Sequence, residues 1–219
     1  MKTLCMIFIV AILSLNLNAQ SQYADAMKAA LENFGSSGSI DELIASASQF
    51  ERIAEAESEE WLPGYYASMI YCIITFGTQK PEKKESYLTQ AQNLLDNAMK
   101  ISPDESELHT LQGMIYQAFI GIDPARNGQT YSAKANGAFQ TAIKLNGDNP
   151  RPYYLQAVSI MHTPEEYGGG KKAALPLFEQ ALALFEKQSS VKPFYPDWGK
   201  EDCEKNIQAC KKVQNMSEK

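Results

Sequence analysis

A five-residue phrase is written three times along this chain. Ala67-Ser68-Met69-Ile70-Tyr71 returns as Gln112-Gly113-Met114-Ile115-Tyr116, and more loosely as Gln156-Ala157-Val158-Ser159-Ile160. The steps are 45 and 44 residues (68 to 113, 113 to 157). Self-similarity at a fixed period of a few tens of residues marks stacked units rather than one globular core. A stack has no inherent catalytic centre, so the repeat points to binding.

Helical periodicity runs through nearly all of the sequence, and sustained alternation of the strand kind is scarce, which makes the chain all-α. Tyr23, Met27, Leu31 and Phe34 form one apolar stripe, broken by Gly35-Ser36-Ser37-Gly38. Further helices are expected over 62–76, 83–100, 104–120, 130–146, 150–163 and 171–188, with a last one over 199–213. Ser102-Pro103-Asp104-Glu105 carries a helix-start signature: a Ser cap, Pro at the first position and Glu at the third. Asp123 to Gln129 reads as a polar loop. The helices pair as hairpins at 23–57, 62–100, 104–146 and 150–188, with a cap at 198–213, in a single domain spanning 20–219.

The second helix of each hairpin also repeats. Ala91-x3-Leu95-x2-Ala98 is matched by Ala135-x3-Phe139-x2-Ala142 and Ala174-x3-Phe178-x2-Ala181, and more weakly by Ser46-x3-Phe50-x2-Ile53. Small residues let helices approach, and the large residue one turn later fills the space between neighbouring units. A lone hairpin cannot cover its own apolar face, so each unit depends on the next.

In these residues the chain resembles the tetratricopeptide repeat (TPR) family. Gly113 and Tyr116 match that family's Gly and Tyr three apart, and Ala91, Leu95, Ala98 and Pro103 match its second-helix run. Tyr153 stands for the family's Trp, while Gly64 and His109 are poor matches. The resemblance covers about residues 40–188. It implies an α-solenoid of about four helical hairpins with a capping helix. The period departs from the family's roughly 34 residues, and the excess is assigned to long turns within the hairpins. The chain as a whole is also similar to exported repeat proteins of Bacteroidetes-type bacteria.

Residues 1–19 read as a secretory signal: Lys2, an apolar run from Leu4 to Leu17, then Asn18-Ala19. That run is too short for a membrane span of about 20 residues, so no transmembrane segment is expected after cleavage. The expected location is exported, periplasmic or secreted. The formal charge of −6 becomes −7 once Lys2 is removed. Acidity of this kind excludes nucleic acid as the expected partner, which needs clustered Lys and Arg. Cys72, Cys203 and Cys210 remain after processing. Cys203 and Cys210 lie two helical turns apart, about 10 Å, too far for a bridge within one helix.

No catalytic residues, metal site or cofactor are expected. The two histidines, His109 and His162, form no His-Glu-x-x-His, and Cys-x-x-Cys is absent. Gly-x-Ser-x-Gly is missing too, and Gly168-Gly169-Gly170-Lys171-Lys172 follows a helix rather than a strand and lacks Walker spacing. Arg126 and Gln129 are loop candidates: either a binding loop, or side chains tying a turn to the stack. Phe194 to Trp198 is read as a seal over the end of the stack.

The TPR resemblance implies a concave face lined by the first helix of each hairpin. Carried onto this chain, that face holds Tyr65, Met69 and Ile73, then Thr110, Met114 and Gln117, then Arg151, Tyr154, Val158 and His162. Tyr and Met give adaptable contact area, and Arg151 offers a bidentate partner for a carboxylate. The expected function is a non-catalytic adaptor that binds a peptide or protein segment in this groove. The alternative is a small-molecule binding protein with a pocket near the intra-hairpin turns, beside Arg126 and Glu165.

Overall fold

A computed structural model describes residues 20–188 and 192–217, with side chains described as far as Lys212. The signal segment assigned to 1–19 lies outside the described residues. Among those described there are nine α-helices, one 3-10 turn and no strand. They are α1 (20–36), α2 (Ile40–Ala56), α3 (Trp61–Gly77), α4 (Pro81–Ile101), α5 (Ser106–Ile120), α6 (Pro124–Leu145), α7 (Pro150–His162), α8 (Lys171–Lys187) and α9 (Lys200–Ser217). Each helix packs on its successor within the hairpins, and α3, α5 and α7 touch in series. The chain is an α-solenoid, with α1, α3, α5 and α7 as the inner row.

The repeated small residues do what the pattern demands. Gly113 of α5 lies against the Phe139 ring of α6, and a Cβ at Gly113 would fall inside that ring. Phe139 is thereby buried. At the equivalent place in the preceding unit the partner is the shorter Leu95, and Ser68 fits, its hydroxyl donating to the Ala91 carbonyl at 2.7 Å. The third unit uses Ala157 in the same core as Phe178. Units are stitched together by polar caps as well. Asn149 caps α7 by accepting from the Arg151 N–H. Its amide donates to the Ser106 hydroxyl at 3.0 Å, and Ser106 donates to the Ala142 carbonyl at 2.9 Å.

Three local expectations are corrected. The extra residues per repeat do not form long turns in the second and third hairpins. The α3–α4 and α5–α6 connections are three residues each, and the excess lengthens α4 to 21 and α6 to 22 residues. Only the α7–α8 connection is long, and there Gly168 and Gly170 adopt φ of 80° and 93°. Second, the segment from Asp123 to Gln129 is helix, not loop. Asp123 caps α6 by accepting from the Arg126 N–H, Pro124 sits at the first turn, and Asn127 donates to the Phe119 carbonyl at 2.8 Å. Third, Ser102 to Asp104 end α4 rather than start α5: the Ser102 N–H bonds to the Ala98 carbonyl, and Glu105 is the true N-cap.

Candidate binding groove

The inner helices enclose a cavity of about 1510 Å³. Its walls are largely apolar: Leu31 and Phe34 from α1, Tyr66, Met69, Ile73 and Phe76 from α3, Met114 and Ile120 from α5, Tyr154 and Val158 from α7. Ordinary small-molecule sites run to about 300–1,000 Å³, so this one accepts a large ligand.

One side of the cavity is built by a segment that belongs to no repeat. After α8 the chain returns as an extended strap, residues 192–199, laid across the starts of α3, α5 and α7. Tyr66 of α3 donates its hydroxyl to the Phe194 carbonyl at 2.8 Å. Trp198 donates its indole N–H to the Tyr65 hydroxyl at 2.9 Å. Tyr195 donates to Glu105 Oε2 at 2.7 Å. Arg151 of α7 donates from Nη2 to the Pro196 carbonyl. Aromatic edges complete the seat: Trp61 meets Tyr195 at 5.4 Å and 90°, and Tyr23 meets Phe194 at 6.0 Å and 87°. Phe194 holds φ at 62°. This left-handed conformation costs a non-glycine residue about 1 kcal/mol or more, and the surrounding bonds enforce it.

Beneath the strap lies a buried ion pair. Arg151 Nη1 stands 3.0 Å from Glu107 Oε1, with side chains 1% and 6% exposed. The guanidinium also sits 5.5 Å from the Trp198 ring centre and 5.7 Å from that of Phe185. Burial pushes the Glu107 carboxyl up to about 7; the Arg151 charge opposes the rise and Glu105 adds to it. Glu107 Oε2 and Arg151 Nε have no hydrogen-bond partner. The contact is therefore monodentate, with both charges committed to holding the strap.

The expected groove residues are divided by this arrangement. Met69, Met114, Gln117, Tyr154, Val158 and His162 line the cavity. Gln117 is already engaged, donating to the Leu155 carbonyl at 2.9 Å and the Ser159 hydroxyl at 2.6 Å. Tyr65 and Arg151 do not face the cavity as free groups. Both are buried under the strap, because Tyr66 rather than Tyr65 turns toward the groove and Glu107 claims the guanidinium. Thr110 is likewise buried, bonded to the Ser106 carbonyl. Arg126 and Gln129 are on the first turns of α6 and Glu165 on the 3-10 turn, all outside the cavity lining. The segment Phe194 to Trp198, expected at the end of the stack, runs along its concave face, while α9 packs on α8 through Cys203, Ile207 and Cys210. Cys72, Cys203 and Cys210, the cysteines among the described residues, are free and buried.

The cavity is deep along the helix axes. Ten residues separate Tyr66 from Phe76 in α3, and eight separate Tyr154 from His162 in α7. At 1.5 Å per residue these distances are about 15 Å and about 12 Å. The strap closes the inner end. The open mouth lies at the C-terminal ends of the inner helices, where Phe76, Ile120 and His162 stand. Phe76 is 63% exposed there, a large apolar side chain at the mouth of an apolar hollow. The charged residues among the described lining are Lys192, Asp197 and Asp202. Among the described residues no three His, Cys, Asp or Glu stand together as a metal site, and no helix is long and apolar enough to cross a membrane.

Comparison with solved structures places the fold. The HusA haemophore from Porphyromonas gingivalis superposes with a TM-score of 0.78 at 30% sequence identity, over 87% of this chain and 94% of that one. The chain belongs to the same family as HusA. A thermophilic TPR protein from Thermus thermophilus superposes with a TM-score of 0.56 at 17% identity, over 90% and 95% of the two chains. That second likeness shows the TPR-like fold. No protein-family model and no curated protein sequence matches this chain. The fold and these relatives fit a binding role without catalysis.

Proposed function

We propose that this chain is an exported carrier that holds a large, flat, apolar small molecule of the porphyrin class in its concave groove, without catalysis. One observation carries the reading: the track along which a peptide would lie is occupied by the chain's own extended strap. What is left beyond the strap is a slot about 12–15 Å deep, close to the breadth of a substituted tetrapyrrole. Its walls offer Tyr66, Phe76, Tyr154, Phe194 and Trp198 for stacking, and Met69 and Met114 for adaptable contact. The relationship to a protein described as a haemophore supports the same ligand class. Haem is cargo in this reading, carried and released rather than used.

The test is direct competition. Full-length mature protein is incubated with protoporphyrin IX and, separately, with an excess of a synthetic peptide of sequence 192–199, then with both together, and analysed by native mass spectrometry. A protoporphyrin adduct that survives excess peptide is the expected result. Peptide adducts without any porphyrin adduct overturn the proposal in favour of the adaptor reading.

A further inference from the structure

We propose that the strap, residues 192–199, is a two-position latch: seated, it completes the cavity that holds the cargo, and lifted, it lets the cargo go; the inference rests on the carrier reading above. Phe194, Tyr195, Asp197 and Trp198 are lining residues, so the cavity has its inner wall only while the strap is seated. The strap belongs to no helix. Its backbone is held to the inner helices at two carbonyls, those of Phe194 and Pro196, which accept from Tyr66 and Arg151. Tyr195 and Trp198 add one side-chain bond each, to Glu105 and to Tyr65. A wall fixed by these bonds and by ring contacts is separable from the stack, whose helices pack on one another.

The seated position carries costs that lifting removes. Phe194 is held left-handed, a conformation that persists only while its surroundings enforce it. Glu107 Oε2 and Arg151 Nε are buried without a partner, and an unpaired buried polar atom keeps its full desolvation penalty. Once Pro196 leaves, Arg151 Nη2 is free. The guanidinium can then turn its fork to both Glu107 oxygens as a bidentate pair, and both orphaned atoms are satisfied. A hinge lies at the far end of the strap. Gly199 adopts φ of 105°, and a Cβ there would stand 3.0 Å from the Phe185 ring. Beyond it α9 stays on α8 through Cys203, Ile207 and Cys210, so the strap swings at Gly199 with α9 in place. A flat ligand stacked on Phe194 and Trp198 meets them only in the seated position. It therefore shifts the balance toward that position by its difference in affinity for the two.

Protons act on the same balance. Glu107 is faced by Arg151 and the Asn149 amide at the start of α7, by Glu105 at the head of its own helix, by Tyr65 and Tyr66 of α3, and by Tyr195 of the strap. In the seated position burial holds its carboxyl at about 7. Water admitted by lifting returns it toward the ordinary 4.5. Between those values the seated form keeps a proton that the lifted form has lost, so rising pH favours lifting. From pH 6 to pH 8 the ratio of lifted to seated should grow by up to about tenfold.

The experiment is native-state proteolysis of the full mature protein. Chymotrypsin cuts after Phe194 and Trp198, and the strap must leave its seat to enter the protease. Rates are divided by those of a free peptide of sequence 190–203 under the same conditions, and mass spectrometry locates the cuts. The strap should be cut before any helix. Iron-free protoporphyrin IX at about ten times its Kd should slow those cuts about tenfold, because it binds the seated form alone. Normalised cleavage should rise from pH 6 to pH 8, and Glu107→Gln should flatten the rise. Tyr195→Phe loses the bond to Glu105 and keeps the ring. It should speed both strap cleavage and porphyrin transfer to excess apomyoglobin, each by about tenfold. If porphyrin binds and strap cleavage does not change, the latch is overturned and the carrier reading stands. Cuts in the helices as early as in the strap overturn it too, as does transfer that Tyr195→Phe leaves unaltered while cleavage rises. Failure of porphyrin to bind wild type overturns the latch and the carrier reading together.

Discussion

Replacing Arg151 with Ala tests whether the strap is pinned by the buried ion pair. Removing one partner of a buried pair typically costs about 3–5 kcal/mol, because the remaining charge is left unpaired. Glu107 has an escape. Its carboxyl already sits near 7 with Arg151 beside it, and losing that attraction raises it further, so near neutral pH it takes up a proton rather than remaining a bare charge. The ionic part of the cost is therefore capped at low pH and grows above it. What remains is the bond to the Pro196 carbonyl, the packing of the guanidinium between Trp198 and Phe185, and the cavity it leaves. We expect a loss of about 3 kcal/mol at pH 6, the low end for a broken buried pair. At about 2–4 °C per kcal/mol for a chain of this size, the midpoint falls by roughly 6–12 °C. Urea and thermal unfolding followed by circular dichroism at pH 6 and pH 8 measure it, and in a Trp61→Phe background Trp198 emission reports release of the strap. The loss should be larger at pH 8. A loss under about 1 kcal/mol at both pH values, a range typical of surface pairs, with unchanged Trp198 emission, would refute the reasoning.

Three further outcomes are expected. Glu107 has a folded-state value of about 7 against an ordinary 4.5. Between those values the folded protein holds a proton that the unfolded chain has lost. Stability should thus decline as pH rises from 4.5 to 7, by about 1.4 kcal/mol per unit at most from this group, and Glu107→Gln should remove that slope in pH-dependent urea titrations. Gly113→Ala should destabilise by about 1–2 kcal/mol, the overlap with Phe139 outweighing a helix-propensity gain of about 1 kcal/mol. Gly137→Ala, whose added Cβ meets open space on α6, should keep that gain, and paired thermal melts distinguish the two. Phe76→Ala should leave the melting midpoint unchanged while weakening protoporphyrin binding about tenfold or more, the lost cover of one Phe side chain being about 1.5–3 kcal/mol. Equal porphyrin affinity in Phe76→Ala would remove the mouth from the account.

The solenoid was legible because its determinants are local and repeated. Gly113, Ser68 and Ala157 recur at positions where a helix must approach its partner, and Leu95, Phe139 and Phe178 recur where the gap must be filled. The groove residues Met69, Met114, Tyr154 and His162 followed from the same register. The strap did not, because its contacts join residues from 45 to 133 positions apart, Arg151 to Pro196 and Tyr65 to Trp198 being the extremes. Periodicity carries no information about such pairings. The available signal was negative: Lys192 to Gly199 holds two prolines, three aromatic residues and no helical period inside an otherwise helical chain. Misplacing that segment turned the Arg151 reading around, from a ligand's partner to the strap's anchor. The length of α6 was missed for a different reason. Asn127 and Gly128 read as a loop, yet the Asp123 cap and Pro124 start the helix ahead of them.

The claim that a flat ligand seats against the strap has one direct reporter. The chain holds two tryptophans, and Trp198 lines the cavity. In a Trp61→Phe variant, Trp198 alone emits. Titration with iron-free protoporphyrin IX should quench that emission to a saturating plateau, with an endpoint at a fixed stoichiometry and energy transfer into the porphyrin band. Emission that is unaffected, or that falls without saturation at every concentration, would contradict the account.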